Sequence, residues 1–202
     1  MSGTRRGTLE PVTLEGRCVR LEPLSLAHLD GLCAVGLEDE LWRWTLVQVR
    51  TRDDMRRYVE SALAAQASGA ALPFATVERA GGRVAGSTRF GAAEPAHRRV
   101  EIGWTWLGRE FRRTALNTEA KLLMFGHAFE RLGCVRVELK TDVLNRRSRA
   151  AILRLGAKEE GVLRRHMITA GGRARDTVYY SVLDSEWPQV RAGLEARLAA
   201  RG

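Results

Sequence analysis

The chain has 202 residues, which suits a single domain with a sizeable hydrophobic core. Hydrophobic residues make up 45% and charged residues 28%, a balance that excludes a disordered or low-complexity chain. No apolar run approaches the roughly 20 residues that a membrane helix needs. The charged start at Met1–Gly7 leads into no apolar signal segment. We therefore predict a cytoplasmic protein that has no membrane partner.

The formal net charge of +9 favours acidic or polyanionic partners, including phosphate groups. The densest basic clusters are Arg112–Arg113, Arg146–Arg149 and Arg164–His166. Charge alone makes nucleic-acid binding one hypothesis, although a solvated basic surface explains any single cluster equally well. The sequence carries no helix-turn-helix, RNP-like or zinc motif. Nucleic acid is therefore the weakest of the candidate partners.

Cysteine and histidine spacing predicts neither a disulfide framework nor a metal site. The residues concerned are Cys18, Cys33, Cys134, His28, His97, His127 and His166. An odd number of cysteines without paired spacing favours reduced, mostly buried thiols. Each histidine is best explained as structural or exposed, and His166 is also a candidate for lining a substrate groove.

Hydrophobic periodicity and turn residues predict one strand, two helices and a hairpin in the first half of the chain. Thr51 and Asp54 resemble a capping box, with Asp in place of Glu, at the start of the second helix. The predicted elements are a strand at Arg17–Leu24, helices at Leu26–Leu37 and Thr51–Ser68, and strands at Leu72–Arg79 and Arg83–Phe90.

The second half alternates strands and helices before a closing hairpin. The predicted elements are strands His97–Leu107 and Val135–Thr141, helices Leu116–Leu132 and Arg146–Leu155, hairpin strands Lys158–Thr169 and Arg175–Leu183, and a C-terminal helix at Glu186–Ala200. The strand–helix–strand crossover from Glu101 to Thr141 predicts parallel pairing. Together the elements predict an α/β (α+β) protein with a mixed sheet and helices on both faces.

A basic loop from Arg109 to Ala115 opens directly onto the predicted helix at Leu116. Free backbone N–H groups and the helix dipole favour a bound anion at a helix N-terminus. Arg112 and Arg113 add positive charge to the same loop. The loop is therefore a predicted site for a phosphate-bearing cofactor.

Seven segments occur in an order and spacing that are more specific together than any one of them is alone. They are Arg20–Leu24, Glu101–Trp104, Asn117–Lys121, Arg136–Leu139, Asn145–Ser148, Leu155–Arg164 and Arg175–Ser181. They resemble the GCN5-related N-acetyltransferases, the GNAT superfamily, and more closely its Rim-type branch, which acetylates protein N-termini and other amines. The resemblance implies a single GNAT domain over residues 1–202, with a core at about 12–188 and a C-terminal helix at 186–200.

The resemblance implies the GNAT fold, whose central sheet is mixed, mostly antiparallel and splayed between its fourth and fifth strands. These strands would be His97–Leu107 and Val135–Thr141. Acetyl-CoA would be the cosubstrate, with no metal, and its pantetheine would pair with the fourth strand as an added strand does. Its pyrophosphate would lie on the basic loop. The implied cofactor-binding residues are Trp104, Thr105, Trp106, Leu107, Arg112, Arg113, Thr114, Ala115, Leu116, Asn117, Thr118, Asn145 and Ser148.

The basic loop departs from the family's pattern of Arg or Gln, two residues, Gly, one residue, then Gly or Ala. Arg112 matches the first position, but Ala115 replaces the glycine and Asn117 occupies the last position. Glycine permits positive φ and close backbone approach. Ala115 still donates its N–H at negative φ, and Asn117 tolerates positive φ or caps a helix. Either an altered cradle binds CoA, or the chain is a non-catalytic CoA-binding or interaction domain.

Acetyl transfer to an amine needs a neutral amine, a polarised thioester carbonyl and a proton for the departing thiolate. Glu101 is the preferred candidate base, and the alternative is a structural strand residue paired with an arginine. Glu138 is a weaker candidate. The resemblance makes Ser148 the candidate acid, and Asn145 either contacts pantetheine or caps its helix. Because no Ser/His/Asp or Cys/His arrangement is apparent, we expect direct attack in a ternary complex.

Trp42 and Trp44 lie between the first two helices, in a region that forms part of the acceptor site in this family. They are candidate substrate-binding residues, and ordinary packing is the alternative. Trp104 and Trp106 point the same way because side chains alternate along a strand. Both are predicted to lie in the core, and the alternative is that they are exposed in the splay and flank the acetyl group. The implied partners are acetyl-CoA and an amine acceptor such as a protein N-terminus. The branch often forms homodimers, and the sequence leaves the oligomeric state open.

Overall fold

The computed structural model describes residues 9–200 as strands and helices around one sheet. The strands are β1 (Leu14–Glu15), β2 (Val19–Pro23), β3 (Ala71–Glu78), β4 (Val84–Glu94), β5 (Arg99–Leu107), β6 (Arg136–Asp142), β7 (Lys158–Ile168) and β8 (Ala174–Leu183). The α-helices are α1 (Leu29–Gly36), α2 (Asp39–Trp42), α3 (Arg52–Ala67), α4 (Leu116–Gly126), α5 (Arg146–Arg154) and α6 (Trp187–Ala199). The strand order is β1-β2-β3-β4-β5-β6-β8-β7.

The sheet is mixed and mostly antiparallel, as predicted. Neighbouring strands pair antiparallel except β5 and β6, which are parallel. The parallel pair results from the crossover through α4, which brings β6 alongside β5 in the same direction.

Two hydrophobic clusters cover opposite faces of the sheet. The larger cluster packs α4, α5 and α6 against β2 to β6 and β8. The smaller one packs α1, α2 and α3 against β3 and the end of β5. Phe74 and Ala75 are successive residues of β3 and belong to different clusters, because side chains alternate across a strand. The prediction of helices on both faces is confirmed.

The parallel contact between β5 and β6 is short. Three residue pairs join the strands, and the last of them is Glu101 opposite Glu138. Beyond it, Ile102–Leu107 pair with β4 alone. A bulge places Trp104 and Thr105 between the pairs that β4 makes with Gly103 and Trp106. The sheet is therefore open between the fourth and fifth predicted strands, which are β5 and β6 because the two-residue β1 was not predicted.

Several boundaries differ from the sequence-based predictions. β5 begins at Arg99 rather than His97, because Pro95–His97 forms a 3-10 turn and Arg98 adopts a left-handed φ of 49°. The helix predicted to reach Leu132 is α-helical to Gly126 and continues as one π-type turn, His127–Arg131. The short α2 was missed altogether because a single helical turn gives little periodicity.

Local capping explains where α3 begins. Thr51 Oγ1 accepts a hydrogen bond from the Asp54 N–H at 3.1 Å. Asp54 Oδ2 accepts one from the Thr51 N–H at 2.9 Å. The predicted capping box is thus confirmed, with the shorter Asp side chain reaching back as Glu usually does.

The three cysteines are free thiols, as predicted, but they are less buried than expected. Cys134 is buried, whereas Cys18 and Cys33 are half-buried. Burial raises the pKa of all three, and the hydrogen bond to Glu119 helps to raise that of Cys18 to about 12. Within residues 9–200, no helix combines the length and apolar character needed to cross a membrane.

Candidate active site

The opening between β5 and β6 is bordered by two helix N-termini. The loop after β5 leads into α4, and the short turn after β6 leads into α5. Each N-terminus presents N–H groups without intrahelical partners and the positive end of a helix dipole. The topology therefore places two anion-favouring ends at one opening.

Arg112 is the clearest sign of an anion-binding position at this opening. Its Nε donates to the Leu107 carbonyl at 3.1 Å, which folds the guanidinium back against the end of β5. Its Nη2 is buried and has no hydrogen-bond partner among residues 9–200. Burial and the nearby charge of Arg147 lower its pKa. A phosphate oxygen would satisfy this donor and offset the repulsion between the two arginines.

The loop reaches α4 without the family's glycines. Arg113 adopts the left-handed conformation, with φ of 62°, whereas Ala115 is helical at φ −69°. Thr114 Oγ1 accepts a bond from the Leu116 N–H at 3.3 Å. Asn117 follows within the first turn of α4. The positive φ therefore falls at the second position of the pattern, and the residues present fit a phosphate-bearing ligand.

The second helix N-terminus is capped by Asn145. Its Oδ1 accepts a hydrogen bond from the Ser148 N–H at 3.1 Å, so the predicted N-cap is confirmed. Ser148 is half-buried in the first turn of α5. Arg147 forms an ion pair of 3.6 Å with Glu40 of α2, which links the two helices across the opening.

Glu101 is the buried carboxylate beside the opening, with 4% of its surface exposed. Its Oε2 lies 2.7 Å from Lys140 Nζ, so its partner is a lysine of β6 rather than the arginine that the structural alternative expected. Burial raises its pKa, and Lys140 opposes that shift. A carboxyl group with a raised pKa is suited to accept a proton near neutral pH.

Glu138 is held by two arginines. It lies 3.1 Å from Arg99 Nη1 and 2.8 Å from Arg136 Nε. Both carboxylate oxygens of Glu138 therefore already accept hydrogen bonds from arginines of β5 and β6. This occupation makes Glu138 less suited than Glu101 to take a proton from a substrate.

The tryptophans do not all lie where the sequence predicted. Trp42 is 2% exposed, donates from Nε1 to the Gly36 carbonyl at 2.7 Å, and packs against Trp106. Packing is thus the correct interpretation for Trp42, and its predicted contact with the acceptor is replaced by a core role. Trp44 is half-buried and is contacted by the guanidinium groups of Arg43 and Arg173.

The core prediction for the β5 tryptophans is right for one of them. Trp106 is 7% exposed and donates from Nε1 to Tyr58 Oη at 3.3 Å. Trp104 is 44% exposed because the bulge gives it a φ of 50° and lifts its ring over Arg89. Trp104 therefore lies at the surface of the opening.

Lys121, a buried residue beneath the bulge, was not among the residues predicted from the sequence to belong to the site. Its Nζ donates to Thr105 Oγ1 at 2.7 Å and to Thr88 Oγ1 at 3.0 Å. Burial lowers its pKa to about 7. The available signal was its position beside Ala120 and Met124, inside the buried stripe of α4.

A groove of about 440 Å³ lies between the α2–α3 connection and the turn that joins β7 to β8. Its lining is polar and of mixed charge, and includes Asp39, Glu40, Arg43, Arg50, Thr169 and Arg173. One of its lining residues, Arg173, is ion-paired with Asp142 at the end of β6. Within the described range, no group of three or more His, Cys, Asp or Glu side chains is arranged to hold a metal ion.

The chain matches the Acetyltransferase (GNAT) domain over residues 19–158. This span runs from β2 to the first residue of β7 and includes the whole opening between β5 and β6. The chain therefore belongs to the GNAT acetyltransferase family.

Individual relatives agree with this assignment. A GCN5-related N-acetyltransferase from Brucella melitensis is 36% identical, with a TM-score of 0.89 over 98% of this chain and 90% of that one. A Bacillus subtilis (strain 168) protein named "Putative ribosomal N-acetyltransferase YdaF" is 35% identical over 106 residues, 52% of this chain and 57% of that protein. The chain thus spans little more than half the length of this curated relative.

The solved structure of Mycobacterium smegmatis RimJ in complex with CoA-disulfide shares the fold. It is 23% identical, with a TM-score of 0.78 over 97% of this chain and 96% of that one. At this identity the likeness concerns the fold alone.

Proposed function

We propose that the protein is an acetyl-CoA-dependent N-acetyltransferase that transfers the acetyl group to a primary amine by direct attack in a ternary complex. The observation that carries the proposal is the opening between β5 and β6, with the N-termini of α4 and α5 at its border and buried Glu101 beside it. We take the described residues to act as one domain.

The donor side is supported by the loop before α4. Arg112 and Arg113, with the first-turn N–H groups of Asn117 and Thr118, would hold the phosphates. The edge of β5 from Trp104 to Leu107 has no partner on β6, so its backbone is available to pair with an extended pantetheine arm. The bound thioester would supply an activated acetyl group.

The protein's own groups would move the protons. Glu101 would accept the proton that makes the acceptor amine neutral, which its raised pKa favours. Ser148 Oγ, at the first turn of α5, would give a proton to the departing sulfur. Asn145 would hold that turn in place through its cap.

The acceptor would approach from the groove between α2 and the β7–β8 turn, opposite the phosphate loop. Trp44 lies on this side, because its ring is contacted by Arg173, which lines the groove. A protein N-terminus is one acceptor of suitable size for an open groove.

Calorimetric titration with acetyl-CoA and, in parallel, with CoA tests the proposal. We expect saturable binding with a Kd in the micromolar range, followed by acetylation of at least one amine in an acceptor screen. Binding without transfer to any amine would favour the non-catalytic CoA-binding alternative. Failure of both ligands to bind at millimolar concentration would overturn the proposed function, because the altered loop would then hold no phosphate.

A further inference from the structure

Two arginines are deeply buried without an anionic partner. Arg89 and Arg175 are each 6% exposed, and the Nε of each has no hydrogen-bond partner. Within residues 9–200, neither forms an ion pair. An isolated buried charge is costly unless another group compensates it. Each guanidinium therefore requires an explanation.

Aromatic rings compensate Arg89. Its guanidinium lies 5.2 Å from the centre of the Tyr58 ring and 4.9 Å from that of Trp104. A cation between two aromatic faces gains a favourable electrostatic interaction with both. Arg89 is thus accounted for within the chain.

No comparable partner compensates Arg175. The carboxylates whose charges act on it are those of Asp142 and Glu101, and they oppose the lowering of its pKa that burial causes. Asp142 is already ion-paired with Arg173, and Glu101 with Lys140. Three cations therefore share two carboxylates on this face, and Arg175 is the cation left without its own counter-ion.

Two more buried polar atoms on this face of β7 and β8 are also without a hydrogen-bond partner among residues 9–200. Thr177 Oγ1 and His166 Nδ1 are buried and have no hydrogen-bond partner in the part of the chain described. Arg175 and Thr177 lie on the same face of β8, two residues apart, and the His166 ring lies 5.8 Å from that of Tyr179 on this face. Native proteins rarely leave several neighbouring buried donors unused. Together they offer a planar fork, a hydroxyl and a ring nitrogen.

These groups match a carboxylate. A guanidinium binds a carboxylate through two parallel hydrogen bonds, and a hydroxyl can donate to the remaining lone pairs. Arg175 also lies within electrostatic reach of Glu101, the proposed base. Arg173, which lines the open groove, is bonded to Asp142 on the same face and marks the route from solvent.

We infer that Arg175, Thr177 and His166 form a carboxylate-binding site and that the acetyl acceptor is an amine that also carries a carboxylate. The acceptor assignment rests on the proposed function, whereas the anion site rests on the unpaired arginine alone. The bound acceptor would place its amine beside Glu101 and its carboxylate against Arg175.

Matched acids and amides test the inference by binding, independently of turnover. The full-length protein, with and without saturating CoA, is titrated calorimetrically with glycine, β-alanine, 4-aminobutyrate and 5-aminovalerate, each against its amide. The series varies the distance between the amine and the carboxylate of the acceptor. A second arm compares the peptides Ala-Asp-Ala-amide and Ala-Asn-Ala-amide, which distinguishes a peptide side chain from a small amino acid as the source of the carboxylate.

We expect at least one acid to bind about tenfold or more tightly than its uncharged counterpart, a difference of about 1.4 kcal/mol. Arg175→Gln should reduce this preference to less than about twofold. Arg175→Lys should keep part of it, because an ammonium retains the charge but loses the fork. Arg89→Gln, which removes an equally buried arginine, should leave the preference in place.

The outcomes separate this inference from the proposed function. If no acid binds more tightly than its counterpart in any pair, or if Arg175→Gln keeps the preference, the carboxylate site is overturned, and the first comparison needs no variant to fold. If acids bind preferentially but no acetylated product forms, the site stands and the proposed transferase activity fails. Equal acetylation of acids and amides sustains the transferase and overturns the site.

Discussion

Gly103 and Glu101 lie two residues apart on β5, and a Cβ at Gly103 would stand 2.7 Å from Glu101 Oε1. The carboxylate therefore occupies the space that a side chain would take. Because the obstructing atom is the end of a flexible side chain, a substitution at Gly103 would move the carboxylate rather than disrupt the strand. The absence of a side chain at this position sets where the candidate base lies.

Gly103→Ala should consequently impair catalysis more than stability. A displacement of about 1 Å in a reacting group can cost on the order of a hundredfold in rate. We expect kcat to fall at least tenfold while the thermal midpoint changes by only a few degrees. Steady-state kinetics and thermal unfolding of the same preparation check this, and an unchanged kcat would remove Glu101 from the reaction. Gly193→Ala on α6, where nothing lies within 4 Å of the added Cβ, is the matched control.

Glu101→Gln should change the dependence of rate on pH. A base acts in its deprotonated form, so the rate should rise with pH through the pKa of Glu101, which burial raises above its ordinary value. The glutamine cannot titrate, and the acidic limb of the profile should flatten. The measurement is kcat/KM across pH 5 to 9. If the two profiles coincide, water or the acceptor itself takes the proton.

Replacing both loop arginines should weaken CoA binding. Arg112→Ala with Arg113→Ala removes two positive charges and the buried unpaired donor that fit a phosphate. We expect the Kd for CoA, measured by calorimetry, to rise at least tenfold, with the largest loss at low salt. Arg56→Ala with Arg57→Ala on α3 removes the same charge elsewhere and serves as control. An unaltered Kd in the loop variant would contradict the phosphate assignment.

Ser148→Ala should lower turnover more than binding. The alanine retains the first turn of α5, because the Asn145 cap uses the Ser148 backbone N–H rather than its hydroxyl. We expect kcat to decrease while the Kd for acetyl-CoA stays within about twofold. Ser61→Ala, on the exposed side of α3, controls for the loss of a hydroxyl. Equal turnover in both variants would exclude Ser148 as the acid.

Lys121→Met should alter the dependence of stability on pH. Between about pH 7, its pKa in the folded protein, and its ordinary value near 10.5, the unfolded chain binds the additional proton. The contribution of Lys121 to stability therefore rises with pH across this window, by at most about 1.4 kcal/mol per pH unit. Urea unfolding at pH 7, 8 and 9 measures it. We expect the slope to decrease in Lys121→Met and to persist in the exposed control Lys158→Met.

If the free energy of unfolding changes with pH to the same extent in Lys121→Met and in the wild type, Lys121 remains charged in the folded protein across this window. Its bonds to Thr88 and Thr105 would then compensate the charge fully.

The order of elements was accessible from sequence because it depends on local signals. The alternation in β2, the capping box at Thr51 and the Asn145 cap each involve residues within a few positions of one another. The parallel β5–β6 pair followed from the crossover, since a strand–helix–strand unit of this length has few other solutions.

Sequence could not supply the features that depend on register. The register of β5 and β6 places Glu101 opposite Glu138. Lys140 lies two residues after Glu138 on the same face of β6, and its side chain therefore reaches Glu101. The bulge that exposes Trp104 depends on the pairing of β4 with β5. Arg175 is buried without a partner only because its two neighbouring carboxylates are bound elsewhere. Each of these facts requires knowing which strands are neighbours and at what offset.

The two hydrophobic clusters differ in a way that bears on the energetics of ligand capture. The larger cluster extends beneath both β5 and β6, whereas the smaller one ends at Trp106 on the β5 side. The two strands that border the opening therefore share one hydrophobic core and do not belong to separate lobes. Because β5 and β6 are already separated beyond Glu101, a ligand that binds between them loses little binding energy to rearranging the protein.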